Sequence, residues 1–408
     1  MCSGCATGIT GTPYGVSGTR AAVFGSVISD TGGEVEYWAE YGTTTGYGSQ
    51  TAHETITVSQ NSQQPFILNI PGLERATTYH YRICASDSQQ KGGPGCGEDA
   101  QLTTANVDCG DTISADLQLS GDLDCIRTDG PDTGPVVGAN GIEIDLAGHT
   151  ISATGVALDN RGGFDDVTIR GGGLYAYSVA LALEGASRNR IIGVGAGRLL
   201  GEFVGPSTSV GIEIEGGEAN VVRNSTVQAS STGLRATDSP GLLVVDSDGF
   251  AGAGSRGGGS AVAVHGSLAR VLRNSFGAMI SIDGSSNRIV GNSVTNPVYS
   301  GILLSAGHDN LVAENEVSDA STLPFAPDAG DGILVEAAAV GSRLRDNVVT
   351  GSYDDGIDVR SPTTRLRANR ADDNTDFGID AVSGVVDLGG NTASGNGNPL
   401  QCRNVFCG

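Results

Sequence analysis

The feature that most restricts how this chain can fold is a repeat of about 22 residues, running from about residue 136 to about residue 398. Its clearest copy is Gly301-Ile302-Leu303-Leu304-Ser305-Ala306-Gly307-His308-Asp309-Asn310-Leu311-Val312-Ala313-Glu314-Asn315-Glu316-Val317. The order of parts is a Gly-Ile strand, a small turn, an apolar pair and then Asn. It recurs in Met279 to Val294, Gly332 to Val348, Gly356 to Asn369 and, loosely, Gly378 to Asn391. The asparagines that close the second strand are Asn224, Asn274, Asn292, Asn315, Asn347, Asn369 and Asn391. Subtraction gives steps of 50, 18, 23, 32, 22 and 22, with one double step and room for inserted loops.

A period of this size means a solenoid, a propeller or an array. Segments such as Ile333-Leu334-Val335 and Ile357-Asp358-Val359 are too short for helices and alternate as strands with one face inward. Glycine is abundant, at 64 residues, and no stretch sustains a helical period. Leucine-rich repeats need an L-x-x-L-x-L spacing that is absent, and hexapeptide coils need a period of six. A parallel β-helix remains. About eleven rungs begin near Val136, Val156, Val179, Gly211, Gly233, Ala261, Met279, Gly301, Gly332, Gly356 and Gly378.

These units resemble those of the right-handed parallel β-helix superfamily, which includes pectate lyases, polygalacturonases and alginate epimerases. The resemblance implies that the asparagines stack as a ladder after the second strand, a place suited to a short side chain that tolerates αL and bonds to nearby backbone. It also implies a polysaccharide ligand.

Residues 6 to 104 carry no such repeat. Alternating segments at Ala21 to Ile28, Glu34 to Tyr41, His53 to Val58, Phe66 to Ile70 and Thr78 to Ala85 are separated by turn residues, the spacing of a small β-sandwich. Leu73-Glu74-Arg75-Ala76-Thr77-Thr78-Tyr79-His80-Tyr81-Arg82 resembles the fibronectin type III stretch in which a Leu precedes a buried Tyr, with Trp38 and Tyr41 on the central strand. The expected chain is all-β: a fibronectin type III-like β-sandwich over 1–104, then a right-handed parallel β-helix over 105–408.

The net charge of −23 and pI near 4.4 make nucleic acid and anionic membrane surfaces poor partners. No run approaches the roughly 20 apolar residues of a membrane span. No apolar leader follows Met1, so the chain is expected to be the mature part of a secreted or cell-surface protein. Eight cysteines fall in local pairs, and Cys84 with Cys96, Cys109 with Cys125 and Cys402 with Cys407 close short loops as structural disulfides do. Cys2 and Cys5 form a Cys-x-x-Cys without zinc spacing or a redox context.

In each first strand the residues between and after the two apolar positions face outward. The inner outward file is expected to hold Glu213, Arg235, Ala263, Ser281, Leu303, Leu334, Asp358 and Asp380. The next holds Asp159, Glu184, Glu215, Thr237, His265, Asp283, Ser305, Glu336 and Arg360. Glu213, Glu215, Arg235, His265 and Asp283 thus share one patch. Long insertions at Gly197 to Ser209, Asp248 to Gly259 and Ala320 to Asp331 are expected to wall a groove on this face.

Proton removal next to a uronate carboxyl needs a base, a cation and an acid. His265 as base or acid, Arg235 as charge stabiliser, and Glu213 with Asp283 as acid or metal ligands would supply them, which points to a polysaccharide lyase or epimerase. Hydrolysis by paired carboxylates, Glu213 or Glu215 opposite Asp283, is a second chemistry. A non-enzymatic surface, adhesion or filament protein that self-assembles is the third reading. Separately, Tyr353-Asp354-Asp355-Gly356-Ile357-Asp358, with Asp372, Asp373 and Asp376 one rung on, resembles the Gly-Asp-Asp of polygalacturonases in its paired aspartates. It lacks the preceding glycine and the partner motifs Asn-Thr-Asp, Gly-His-Gly and Arg-x-Lys. Asp354, Asp355 and Asp358 are candidate calcium ligands, or turn residues. The sequon Asn224-Ser225-Thr226 falls on a ladder position and is expected to be buried.

Overall fold

A computed structural model of the chain describes residues 5–87, 93–198, 209–251, 259–322 and 330–408. The central parts of the three long insertions, 199–208, 252–258 and 323–329, lie outside the described residues. The chain divides into two compact units: 1–111 with 118–135 and 149–154, and 112–117 with 136–148 and 155–408.

In the first unit, Ala6–Val16, Arg20–Ser29 and Gln63–Pro71 pair antiparallel in that order. Glu54–Val58, Gly33–Gly42, Thr78–Asp87 and Ala100–Thr103 form a second antiparallel set. Alternation in these strands turns Val23, Val27, Val35, Tyr37, Leu68, Ile70, Tyr81 and Ile83 into one core. Tyr79 is buried, and its hydroxyl accepts a hydrogen bond from the Glu74 amide at 2.9 Å. Ala6–Val16 escapes a pattern reading because glycine, threonine and proline break its alternation. His53 stacks on Trp38 with ring centroids 4.1 Å apart, and His80 pairs with Asp99 at 2.8 Å, so both histidines have structural partners.

The second unit is a parallel β-helix. Its first sheet stacks, among others, Val156–Asn160, Val179–Glu184, Val210–Glu215, Thr232–Thr237, Ser260–His265, Met279–Asp283, Ile302–His308, Ile333–Val335, Ile357–Val359 and Ile379–Ala381, all in parallel register. Thr112–Ile113 and Cys402–Arg403 pair at its two ends. Fully buried files run through it, such as Ile212, Leu234, Val262, Ile280, Ile302, Ile333, Ile357 and Ile379. The glycine that opens each strand is a matter of room. A Cβ at Gly301 would lie 2.3 Å from Val317 Cγ1, and one at Gly332 would lie 2.1 Å from Val349 Cγ1.

The asparagine ladder runs Asn274, Asn292, Asn315, Asn347, Asn369, Asn391, each side-chain amide donating to the next Oδ1 at 2.9 to 3.1 Å. Asn274 to Asn369 each also donate to a carbonyl one turn back, as Asn315 does to Ile289 O at 2.9 Å, while Asn391 donates to Asp387 Oδ1. Two expectations are corrected. The αL residue is the one before each ladder position, such as Arg273, Glu314, Asp346 and Ala368, because that residue turns the corner while the Asn points inward. Asn224 is itself such a corner residue, exposed at φ 49°, and is not in the ladder. Ser225 and Ser247 stand in its place and continue the bonding to Asn274, with Ser247 N donating to Asn274 Oδ1 at 3.0 Å.

The expected disulfides Cys84–Cys96, Cys109–Cys125 and Cys402–Cys407 are all formed. Cys5 is also disulfide-bonded, and Cys2 lies outside the described residues.

Candidate functional site

The register of the first sheet decides which outward side chains meet. Glu213, Arg235, Ala263, Ser281 and Leu303 are direct neighbours on successive strands, and so are Glu184, Glu215, Thr237, His265 and Asp283. Two places shift. Asp159 pairs with Ala182, which pairs with Glu213, so Asp159 stands in the Glu213 file rather than beside Glu184. A bulge after Ile282 sets Ala306, not Ser305, opposite Asp283.

The five residues of the patch separate into two pairs. Arg235 hydrogen-bonds Glu213, which is buried and also receives Arg161 at 3.4 Å. His265 Nδ1 lies 3.7 Å from Asp283 Oδ2, and both side chains are about half exposed, at 48% and 52%. Glu215 is exposed next to Thr237. The guanidinium that would spread developing carboxylate charge is thus engaged by Glu213, and the His265–Asp283 pair is half exposed among the described residues.

The acidic residues two to four turns beyond Asp283 behave differently. Asp331 and Asp355 each precede a Gly-Ile strand start, and Ile333 pairs with Ile357, so the two aspartates fall one above the other. Asp358 leaves the same turn as Asp355, and Asp380 pairs with it on the next. Carboxylate oxygens of Asp331, Asp355 and Asp358 lie within 4.8 Å of one another, as do those of Asp354, Asp355 and Asp376. The calcium trio expected from the sequence is therefore divided. Asp355 belongs to both clusters, whereas Asp354 and Asp358 belong to one each: Asp354 lies in the bend before the strand and Asp358 within Ile357–Val359.

This cluster is held below the surface. Asp331 is 1% exposed, and its Oδ2 is buried with no hydrogen-bond partner among the described residues. Burial, reinforced by Asp358, Asp354 and Asp355, pushes its carboxyl up to about 8. Burial also pushes Asp355 up to about 7, against the Phe377 amide that donates to its Oδ1 at 2.8 Å. Burial raises Asp358 too, but Arg360 donates to its Oδ2 at 2.7 Å and works the other way. Arg360 also reaches Glu336 at 3.0 Å, and Arg403 pairs with Asp380. Tyr353, 53% exposed, stands immediately before Asp354.

Such a group of carboxyls has two uses. A neutral carboxyl beside an ionised one is the arrangement for acid-assisted cleavage of a glycosidic bond. Alternatively, three or more carboxylate oxygens around a buried point could hold a hard divalent cation such as Ca²⁺, with Asp331, Asp355 and Asp358 as the ligands. Asp331 was taken from the sequence only as the end of an insertion. The signal that marks it is the Asp-Gly-Ile it shares with Asp355, 24 residues on by subtraction.

The right handed beta helix region model matches residues 147–361 and 270–404, and the chain belongs to that family. No curated protein matches it. Among solved structures, it is similar to the Dettilon tailspike protein (16% identity, 67% of this chain and 62% of that one, TM-score 0.44). The Azotobacter vinelandii mannuronan C-5 epimerase AlgE6 A-module is similar at 13% identity, over 73% of this chain and 88% of that one, with a TM-score of 0.36. The catalytic domain of GH87 alpha-1,3-glucanase in complex with nigerose is similar at 12% identity, over 100% and 90%, with a TM-score of 0.35. The chain spans 62% of the tailspike's length. Likeness at this level concerns the fold alone.

Proposed function

We propose that this chain is a secreted or cell-surface polysaccharide hydrolase working at the Asp331–Asp355–Asp358 cluster. The observation that carries the reading is a pair of stacked carboxyls pushed up to about 8 and about 7 beside a third that an arginine holds. At pH 5 to 6 Asp355 keeps its proton and gives it to the glycosidic oxygen as that bond breaks, while Asp358, paired with Arg360, supports the positive charge that develops on the sugar. Water then adds to the anomeric carbon and returns a proton to the Asp355 carboxylate. Asp331, fully buried, is a positioning residue beneath them. Exposed Tyr353 offers a ring face on which a sugar can stack.

Electrostatics select the substrate class. Glu336 and Asp380 are matched by Arg360 and Arg403, but Asp354 and Asp376 stand against Asp355 as further acids, which disfavours a uronate chain there relative to a neutral glycan. The lyase or epimerase reading at His265 has less support, since its arginine is engaged and its histidine pairs with Asp283 in solvent. The same proposal takes 1–104 as a fibronectin type III-like module ahead of the β-helix of 105–408. Its support is the order of the two antiparallel strand sets and the buried Tyr79 that follows Leu73.

The test is reducing-end release from neutral α- and β-glucans, mannans and xylans, with polygalacturonate and alginate run in parallel. Cleavage of a neutral glycan that drops by about 10²-fold or more in Asp355→Asn is the expected result. Unsaturated uronate products lost in His265→Ala but kept in Asp355→Asn would return the chemistry to the His265 patch. No turnover together with ordered self-assembly would make the chain a scaffold.

A further inference from the structure

On the sheet that carries the second strand of each turn, the outward positions form a column of arginines. Arg270 pairs directly with Arg288, Arg288 with Leu311, Leu311 with Arg343, and Arg343 with Arg365. The intervening Val271, Ile289, Val312, Leu344 and Leu366 are buried, which fixes the arginines on the outer face. Arg270, Arg288, Arg343 and Arg365 are exposed, and none makes an ion pair among the described residues. In the neighbouring file Arg367 is exposed and equally unpaired, whereas Arg345 pairs with Glu314 and Asp346.

This placement runs against the composition. Acidic residues number 46 against 23 basic ones, yet like charges stand directly opposite each other at Arg270/Arg288 and at Arg343/Arg365. Like-charged cross-strand neighbours are destabilising. A counter-charge supplied from outside removes that cost. At the upper end of the column lies a surface cavity of about 630 Å³ lined by Arg270, Leu272, Arg273, Arg288, Val290 and Glu314, with Arg273 engaged by Asp246 and Glu314 by Arg345.

We propose that this column binds an anionic polysaccharide, at a place separate from the hydrolytic cluster and independent of that reading. Guanidinium groups take carboxylate or sulfate oxygens in bidentate pairs. Neighbouring strands are about 4.8 Å apart, close to the advance of one pyranose unit in an extended chain, so adjacent anionic sugars fall over Arg270 and Arg288 and over Arg343 and Arg365, with one unit over Leu311 between the two pairs. Leu272 and Val290 supply apolar ground for the carbohydrate C–H faces between them. Glu314, which lines the cavity, has its charge met by Arg345, whereas a nucleic-acid duplex is wide enough to overlap Asp346 and Glu316 beside the column as well.

The experiment is binding of the full chain to polygalacturonate, to a sulfated galactan and to a neutral galactan, by calorimetry at low and at raised salt. Arg288→Gln/Arg343→Gln is compared with wild type and with Asp355→Asn, each checked for an unchanged melting temperature. Exposed arginines tolerate the exchange, so the folded state survives. The expected result is salt-sensitive binding of one or both anionic glycans, weakened about 10-fold or more by the double arginine variant and unaltered by Asp355→Asn. The carboxylated and sulfated arms show which anion is preferred. Equal binding of the neutral galactan, equal affinity in the arginine variant, tighter binding of duplex DNA than of either glycan, or no binding would each overturn the proposal.

Discussion

The amide of Asp355 donates to Oδ1 of Asp331 at 3.3 Å, tying together two aspartates that hold the same place in successive turns. The bond leaves Oδ2 of Asp331 buried and without a hydrogen-bond partner among the described residues, and a carboxylate in that position is costly unless protonated or bound to a cation.

Stability should therefore fall as pH rises. The folded carboxyl of Asp331 sits near 8 against an ordinary 3.8, so between those values the folded chain holds a proton that the unfolded chain has released. Stability is lost across that window, at most roughly 1.4 kcal/mol per pH unit for one such group, and levels off above it. Asp331→Asn should melt higher than wild type at pH 8 and show a flatter profile. Thermal midpoints at pH 5 and 8 decide it, and parallel profiles for the two proteins would refute the assignment.

Calcium offers the other way to settle these charges. If Asp331, Asp355 and Asp358 take the ion, binding must drive protons off the first two, so calcium should raise the melting temperature more at pH 8 than at pH 5. Calorimetry in two buffers of different ionisation enthalpy should show proton release, and Asp355→Asn should abolish both effects. No shift at millimolar calcium removes the ion from the site.

Activity on a neutral glycan should decline above about pH 7, where Asp355 loses its proton. Asp358→Asn should lower kcat strongly at all pH values, while Arg360→Gln should move the acidic limb upward by releasing Asp358 from its partner. An Arg360 variant with an unchanged pH profile would show that the ion pair is structural only.

The ladder offers a control within one residue type. Asn315→Ala removes hydrogen bonds to Asn347 and to the Ile289 carbonyl in the interior and should cost about 1 to 3 kcal/mol. Asn224→Ala, at an exposed corner, should cost far less. Denaturant midpoints that fall equally would contradict the division drawn between the two.

The strands and interior files were legible because a period near 22 and an alternation of two leave few other folds. Asn224 misled because the corner residue and the ladder residue are adjacent, and an Asn suits either. Only the exchange of Asn for Ser225 and Ser247 inside reveals which is which. The outward files came through except at Asp159, which stands in the Glu213 file, and where a bulge after Ile282 advanced the count. Asp331 was missed for a physical reason: its importance lies in burial and in proximity to the next turn. Charge identity along the chain does not display these, although the repeated Asp-Gly-Ile does. The arginine column was similarly hidden, since Arg270, Arg288, Arg343 and Arg365 lie 18, 55 and 22 residues apart by subtraction and come into one file only through register.

Because each turn superposes on the last, the stacked aspartates have a simple origin in chain copying. Duplicating one turn of 24 residues, the step from Asp331 to Asp355, sets a second acid directly over the first while every strand keeps its partner type. A fold of this kind can acquire a pair of interacting carboxyls in one genetic step, and the proton affinity of both changes at once. The same step taken in reverse, excision of a single turn, would remove one acid's push on the other and leave burial alone to hold the remaining carboxyl up.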